Sequence, residues 1–305
     1  MPRALNPEAE AAADARAAAV QARWGHPQHR WDDLIAIIQN TGVTEFDAIR
    51  DGWLELMWCL DQYRITDAPP EAMGKAHLPY DSRIDGVYRG KGNWFAMVLT
   101  LLLNNRTGQT LRSRSEIKGF SQNHQIDLAW PDRREAPIVC AESKLTGGPA
   151  YRNAPGRGAM DEWTNRRREL KFSATDLKLW RRSQSEKIGH WDVWRQSALP
   201  RTFMLWAALL SEKDSPEKMV RETSAIVSTY LDGAGIFAYR RRADGGGYEP
   251  VDLPLTAGVE TIDIALYRIE SEIDKAIASG SHKRPEASAA PVDPDGLVGG
   301  AEPSG

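Results

Sequence analysis

Cysteine is almost missing from this chain, and with it goes any disulfide framework. Cys59 and Cys140 are the only two, and each lies inside an apolar run, as buried free thiols do. His26 and His29 stand at metal-ligand spacing but have no cysteine partner nearby, so the pattern offers no zinc site. Long hydrophobic runs are lacking as well. Met97-Val98-Leu99-Thr100-Leu101-Leu102-Leu103 gives way at once to Asn104-Asn105-Arg106, short of a membrane span. The Ala- and Glu-rich start has neither the basic nor the apolar block of a signal peptide, and cytoplasmic residence without membrane contact is expected. No Gly-x-x-x-x-Gly-Lys-Ser/Thr loop occurs, which removes a nucleotide cofactor or a motor. Neither Gly-x-Ser-x-Gly nor a Cys-His signature supplies a covalent nucleophile.

A strong net charge is absent too, since the formal balance is −3. Its distribution is uneven. Residues 145–195 carry eleven Lys or Arg against six acids, a local +5 that leaves −8 elsewhere. Alone this reads as a solvated helix face; beside a catalytic strand it would meet phosphates. Trp163, Trp180, Trp191 and Trp194 lie in the same region, where packing is the default and base stacking the alternative.

The chain reads as an α/β protein in three parts. Residues 1–80 form a helical region. Asn6 caps an alanine-rich helix with Pro7 at its first position, a second helix covers 32–40, and Thr44 caps a third that runs to about Tyr63. It reads as an appended subdomain. Residues 81–279 form the core, with a helix over 92–105 and strands over 109–118, 124–130 and 137–145. A loop over 147–158, a helix from Ala159 towards Arg182 and a buried strand over 203–210 follow. Asp214-Ser215-Pro216-Glu217 then starts a helix to about Leu231. Segments 235–242 and 248–253 make a hairpin about Asp244-Gly245-Gly246-Gly247. A last helix carries Ile262, Leu266, Ile269, Ile273 and Ile277 at helical spacing, a stripe for the core or for a homodimer. Residues 280–305, rich in Gly, Pro, Ser and Ala, form a disordered tail.

The informative motif sits between the second and third strands of the core. Ile126-Asp127-Leu128-Ala129-Trp130 carries one carboxylate within an apolar run, and Ile138-Val139-Cys140-Ala141 leads into Glu142-Ser143-Lys144. Side chains two apart share a strand face, so Glu142 and Lys144 project together. Pro131-Asp132-Arg133-Arg134-Glu135-Ala136-Pro137 suits a hairpin, which makes Asp127 and Glu142 antiparallel neighbours. Two carboxylates in one small site repel until a cation neutralises them. The triplet alone is cheap. With 42 acids in the chain, about one or two acid-x-Lys triplets are expected by composition, and Glu116-Ile117-Lys118, Glu169-Leu170-Lys171 and Asp176-Leu177-Lys178 also occur. Only the one at 142 ends an apolar run preceded by a second acid-bearing strand.

This pattern resembles the PD-(D/E)xK nuclease superfamily over residues 92–210. The resemblance implies a restriction-endonuclease-like central mixed sheet flanked by helices. It implies Mg2+ held by Asp127, Glu142 and the Ser143 carbonyl, with Lys144 steadying the attacking water or the phosphate. The acid follows Ile126 where the family has proline; the literal Pro131-Asp132 pair falls in the hairpin, so Asp127 is the preferred ligand. Glu116, one strand earlier, is a candidate accessory carboxylate. The implied activity is magnesium-dependent DNA endonuclease, of type II-like restriction or anti-phage character. A repair or mobile-element nuclease and a non-catalytic DNA-binding subunit are the alternatives. Double-stranded DNA is the implied partner. Arg152, Asn153 and Arg157 are expected to read base edges, and Arg167 and Lys171, four apart on one helix face, to contact phosphates.

Overall fold

The computed structural model describes residues 7–68, 80–153, 155–183 and 199–283. The expected Asn6 cap, Trp191, Trp194 and the tail beyond residue 283 lie outside them. Three helices, α1 (Pro7–Trp24), α2 (Pro27–Thr41) and α3 (Arg50–Ile65), precede the long α4 (Tyr80–Thr107). Strands β1 (Arg112–Lys118), β2 (Asn123–Trp130) and β3 (Val139–Thr146) follow, then α5 (Trp163–Ser183), β4 (Arg201–Leu209) and α6 (Pro216–Val227). The chain continues through β5 (Gly233–Arg241), β6 (Tyr248–Val251), β7 (Val259–Glu260) and α7 (Ile262–Ala278). The sheet is open, mixed and seven-stranded, in the order β1-β2-β3-β4-β5-β6 with β7 beside β5. β2 is antiparallel to both β1 and β3, while β4 is parallel to both β3 and β5.

Period-two alternation divides β4 between two layers. Phe203, Leu205 and Ala207 join Leu128, Val139 and Ala141 against α4 and α7, while Met204, Trp206 and Ala208 pack against α5 and α6. A strand buried on both faces reads as a continuous apolar run, as β4 does. The α7 stripe of Ile262, Leu266, Ile269 and Ile273 is fully buried in the first layer, so it serves the core and not a dimer face.

Three local expectations change. The N-terminal helices are not an appendage with a separate core: Trp31, Leu34, Trp53, Leu56 and Leu60 share one apolar cluster with Phe95, Leu99 and the sheet. α4 begins well before Gly92, because burial of Phe95, Val98, Leu99, Leu102 and Leu103 outweighs about 1 kcal/mol of helix propensity lost at each interior glycine. The third helix opens in a 3-10 turn, Asp47–Ile49. Its first N–H groups, Phe46 and Asp47, donate to the Asp263 carboxylate of α7, a cap supplied from across the chain where Thr44 was expected.

One buried ion pair ties the layers together. Lys91 Nζ of α4 donates to Asp61 Oδ1 of α3 at 2.7 Å, and the Tyr248 hydroxyl of β6 donates to Asp61 Oδ2. The side chains of Asp61 and Lys91 are 0% and 6% exposed.

Candidate active site

The pairing of β2 with β3 stops short. Trp130↔Val139, Ala129↔Cys140 and Leu128↔Ala141 form the ladder, and beyond it the two strands part. Asp127 occupies the opening. Its Oδ2 accepts from the Ser143 N–H at 2.8 Å and from the Ser143 hydroxyl at 2.9 Å, so a side-chain carboxylate stands where the next backbone partner would be. Among the described residues nothing hydrogen-bonds Asp127 Oδ1. In a strand the N–H and C=O of one residue point to the same neighbour, so the Ser143 carbonyl faces the same opening.

Glu142 and Lys144 lie on the β3 face that also carries Cys140, the face covered by α5. Lys144 Nζ donates to Glu142 Oε2 at 3.0 Å, and the two side chains are 19% and 17% exposed. Burial pushes the Glu142 carboxyl above the usual range; the Lys144 ammonium pulls it down, Asp127 pushes it up again, and His124 pulls it down. Both carboxylates therefore reach one electrostatic neighbourhood, and ionising both is costly without a cation. The same surroundings raise the Cys140 thiol: burial first, then Glu142, against Arg181 and Lys178. Cys140 is accordingly an inert core thiol.

A clamp holds the helix over this face. His124 Nε2 of β2 lies 2.8 Å from Asp176 Oδ2 of α5, and Asp176 Oδ1 accepts from the Ser121 N–H (2.9 Å) and hydroxyl (2.8 Å). Burial alone would raise the Asp176 carboxyl, but these hydrogen bonds from His124 and Ser121 outweigh it and hold the group low. Gly119 is required at the turn, since a Cβ there would stand 2.1 Å from Asp176 Oδ2. Sequence reasoning missed this pair. The signal was an acid on the buried side of a helix, in a triplet read only as a catalytic motif and set aside.

The other expected residues are dispersed. Glu116 points away from Ser115 and Ile117, which face α5; it pairs with Arg134 at 2.9 Å and accepts from Asn123. It is thus on the opposite face of the sheet from Glu142, and the structure does not bring the two carboxylates together. Asp132 accepts from Ser115 and pairs with Arg112, both on β1. Arg152 donates to Asp67 Oδ1 at 2.6 Å, which also accepts from Tyr151 Oη at 2.8 Å, so the loop after β3 is docked on the segment following α3. Asn153 is exposed, and Arg157, also exposed, pairs with Glu162 at 2.8 Å.

Arg167 and Lys171 share a face of α5, but that face looks towards α6. Arg167 pairs with Glu222 at 3.0 Å, and Lys171 Nζ lies 4.6 Å over the Tyr230 ring. The opposite line of the helix is Arg166, Ser173 and Trp180, at i, i+7 and i+14. Trp180 Nε1 donates to the Glu135 carbonyl of the β2–β3 hairpin, and Arg166 lies on the same line of the helix. It pairs with Glu162 and Glu169. Trp163 stacks on Trp206 with centroids 4.6 Å apart, and the half-buried Trp180 ring carries Lys118 Nζ at 4.1 Å, so both described tryptophans of the basic region have partners within the chain.

Among the described residues no group of three or more His, Cys, Asp or Glu converges on one point. The donors at hand are the Asp127 and Glu142 carboxylates and the Ser143 carbonyl, hard oxygens of the chemical type that Mg2+ takes. Among the described residues no helix is long and apolar enough to cross a membrane. Comparison with protein-family models, curated proteins and solved structures found no match for this chain.

Proposed function

We propose that this protein is a magnesium-dependent DNA endonuclease of the restriction-endonuclease-like type. One observation carries the reading: Asp127 is held on the Ser143 N–H where β2 and β3 part, and its charge is felt by Glu142, which Lys144 holds. The succession α4, three antiparallel strands, α5 and the parallel β4 supports it, because it is the order of the superfamily core that the motif resembles.

Asp127, Glu142 and the Ser143 carbonyl would hold the cation, which when bound supplies Lewis-acid stabilisation of the charge developing on the phosphoryl oxygens. The protein's residues do the rest. The two Ser143 hydrogen bonds to Oδ2 fix the Asp127 carboxylate and leave Oδ1 for a ligand. Lys144, tethered to Glu142, presents an ammonium that orients the attacking water and offsets negative charge on phosphate. The layer formed by Trp163, Leu170 and Trp206 keeps the back of the site dry, which strengthens each of these interactions.

Supercoiled plasmid incubated with the purified protein and Mg2+ tests the proposal. Discrete fragments are the expected result and fit a restriction or anti-phage enzyme. A smear retains the nuclease and removes the sequence specificity, and intact plasmid with Mg2+ and Mn2+ alike overturns the reading.

A further inference from the structure

The β1–β2 ladder breaks at the residue of greatest interest. Ser113↔Leu128 and Ser115↔Ile126 are paired, while Arg114 and Asp127, which stand between them, are not. Arg114 has φ +60°, the left-handed region that a side chain in a strand rarely adopts. The alternation of faces slips at the same point. Ile126 and Ala129, three apart, both pack with Ile117, Cys140 and Leu177 on the α5 side, whereas Leu128 lies in the opposite layer. On β1, Arg112 Nε and the Ser115 hydroxyl, also three apart, reach the two oxygens of one carboxylate, Asp132, at 3.1 and 3.0 Å. Residues three apart on a regular strand face opposite ways, so one carboxylate holding both is possible only across the slip.

We propose that this slip is a positioning device for the Asp127 carboxylate, set by the left-handed backbone of Arg114 and braced by Asp132. Without it Asp127 would alternate onto a sheet face; with it the side chain turns sideways, into the plane of the sheet and onto the Ser143 N–H. Arg114 and Asp132 are positioning residues, acting through Asp127. The inference rests on the nuclease reading for its consequence but not for its geometry.

Two substitutions at one position separate backbone from side chain. Glycine adopts positive φ freely, so Arg114→Gly keeps the slip, and its cleavage rate is expected within about 3-fold of wild type. Valine is β-branched and disfavours positive φ, so Arg114→Val is expected to lose about 50-fold or more in kcat while KM for DNA changes less than about 3-fold. Amide exchange followed by NMR gives a readout independent of cleavage. The Ser143 amide should exchange slowly in wild type and Arg114→Gly and about 10-fold faster in Arg114→Val, with the Leu205 amide of β4 unchanged as the folding control. Should Arg114→Val fail to fold, Asp132→Ala removes the brace and should also speed Ser143 exchange. Wild-type Ser143 protection in Arg114→Val, or in Asp132→Ala where that variant stands in for it, overturns the proposal. A Gly variant as impaired as the Val variant does so too, by assigning the role to the guanidinium. Wild-type protein that leaves plasmid intact while the Ser143 exchange rates keep their expected order sinks the nuclease reading and leaves the slip as the device that aims Asp127.

Discussion

Replacing Asp127 by Asn or Glu142 by Gln is expected to reduce plasmid cleavage by about 1,000-fold or more, since under the proposed function either change removes a charged oxygen ligand worth several kcal/mol in the transition state. DNA binding should survive. Each change deletes a negative charge that repels phosphate, so affinity measured in EDTA should hold or rise modestly. Lys144→Ala should be comparably inactive, with the cation still bound, because under the proposed function its ammonium acts on phosphate and water while it bonds Glu142 and is not itself a ligand. Asp132→Ala marks the boundary of the account. Its carboxylate braces β1, so the loss there should be smaller than at Asp127; full activity in Asp127→Asn with loss in Asp132→Ala would move the site to the hairpin.

The largest effect on stability is expected far from that opening, at Asp61. Asp61→Ala removes the carboxylate that accepts from the buried Lys91 ammonium and from the Tyr248 hydroxyl. Removing one member of a buried pair costs about 3–5 kcal/mol, which in a chain of this size lowers Tm by roughly 10 °C. Urea titration should show a lower midpoint at an unchanged slope. The double variant Asp61→Leu with Lys91→Met should recover most of the loss, because no charge is then buried alone. A melting temperature within about 2 °C of wild type for Asp61→Ala would show that the pair contributes little net energy.

Where one physical signal dominated, the sequence was legible. The apolar run at 203–210, the Asp244–Gly247 turn and the Ser215-Pro216 helix start each follow from a local rule, and the structure places β4, the β5–β6 hairpin and α6 there. The neighbourhood of Asp127 and Glu142 was legible for the same reason, since a hairpin between two short apolar runs leaves little freedom of register. What escaped was set by distant partners. No local pattern shows that Asp263 caps the third helix, that Asp67 holds Arg152, or that Glu222 and Tyr230 engage Arg167 and Lys171. The basic segment looked like a phosphate-binding face partly because Asp67 and Glu222, which engage Arg152 and Arg167, lie elsewhere in the chain. The slip at Arg114 was hidden too, because an arginine carries no sign of a positive φ.

If Asp127 and Glu142 together hold a cation, as proposed, Mn2+ binding measured by electron paramagnetic resonance reports it without any need for cleavage. Wild-type protein should take up one Mn2+ that Mg2+ competes away, and Asp127→Asn and Glu142→Gln should each weaken that binding by about 10-fold or more. Mn2+ affinity unchanged in both variants would contradict the account.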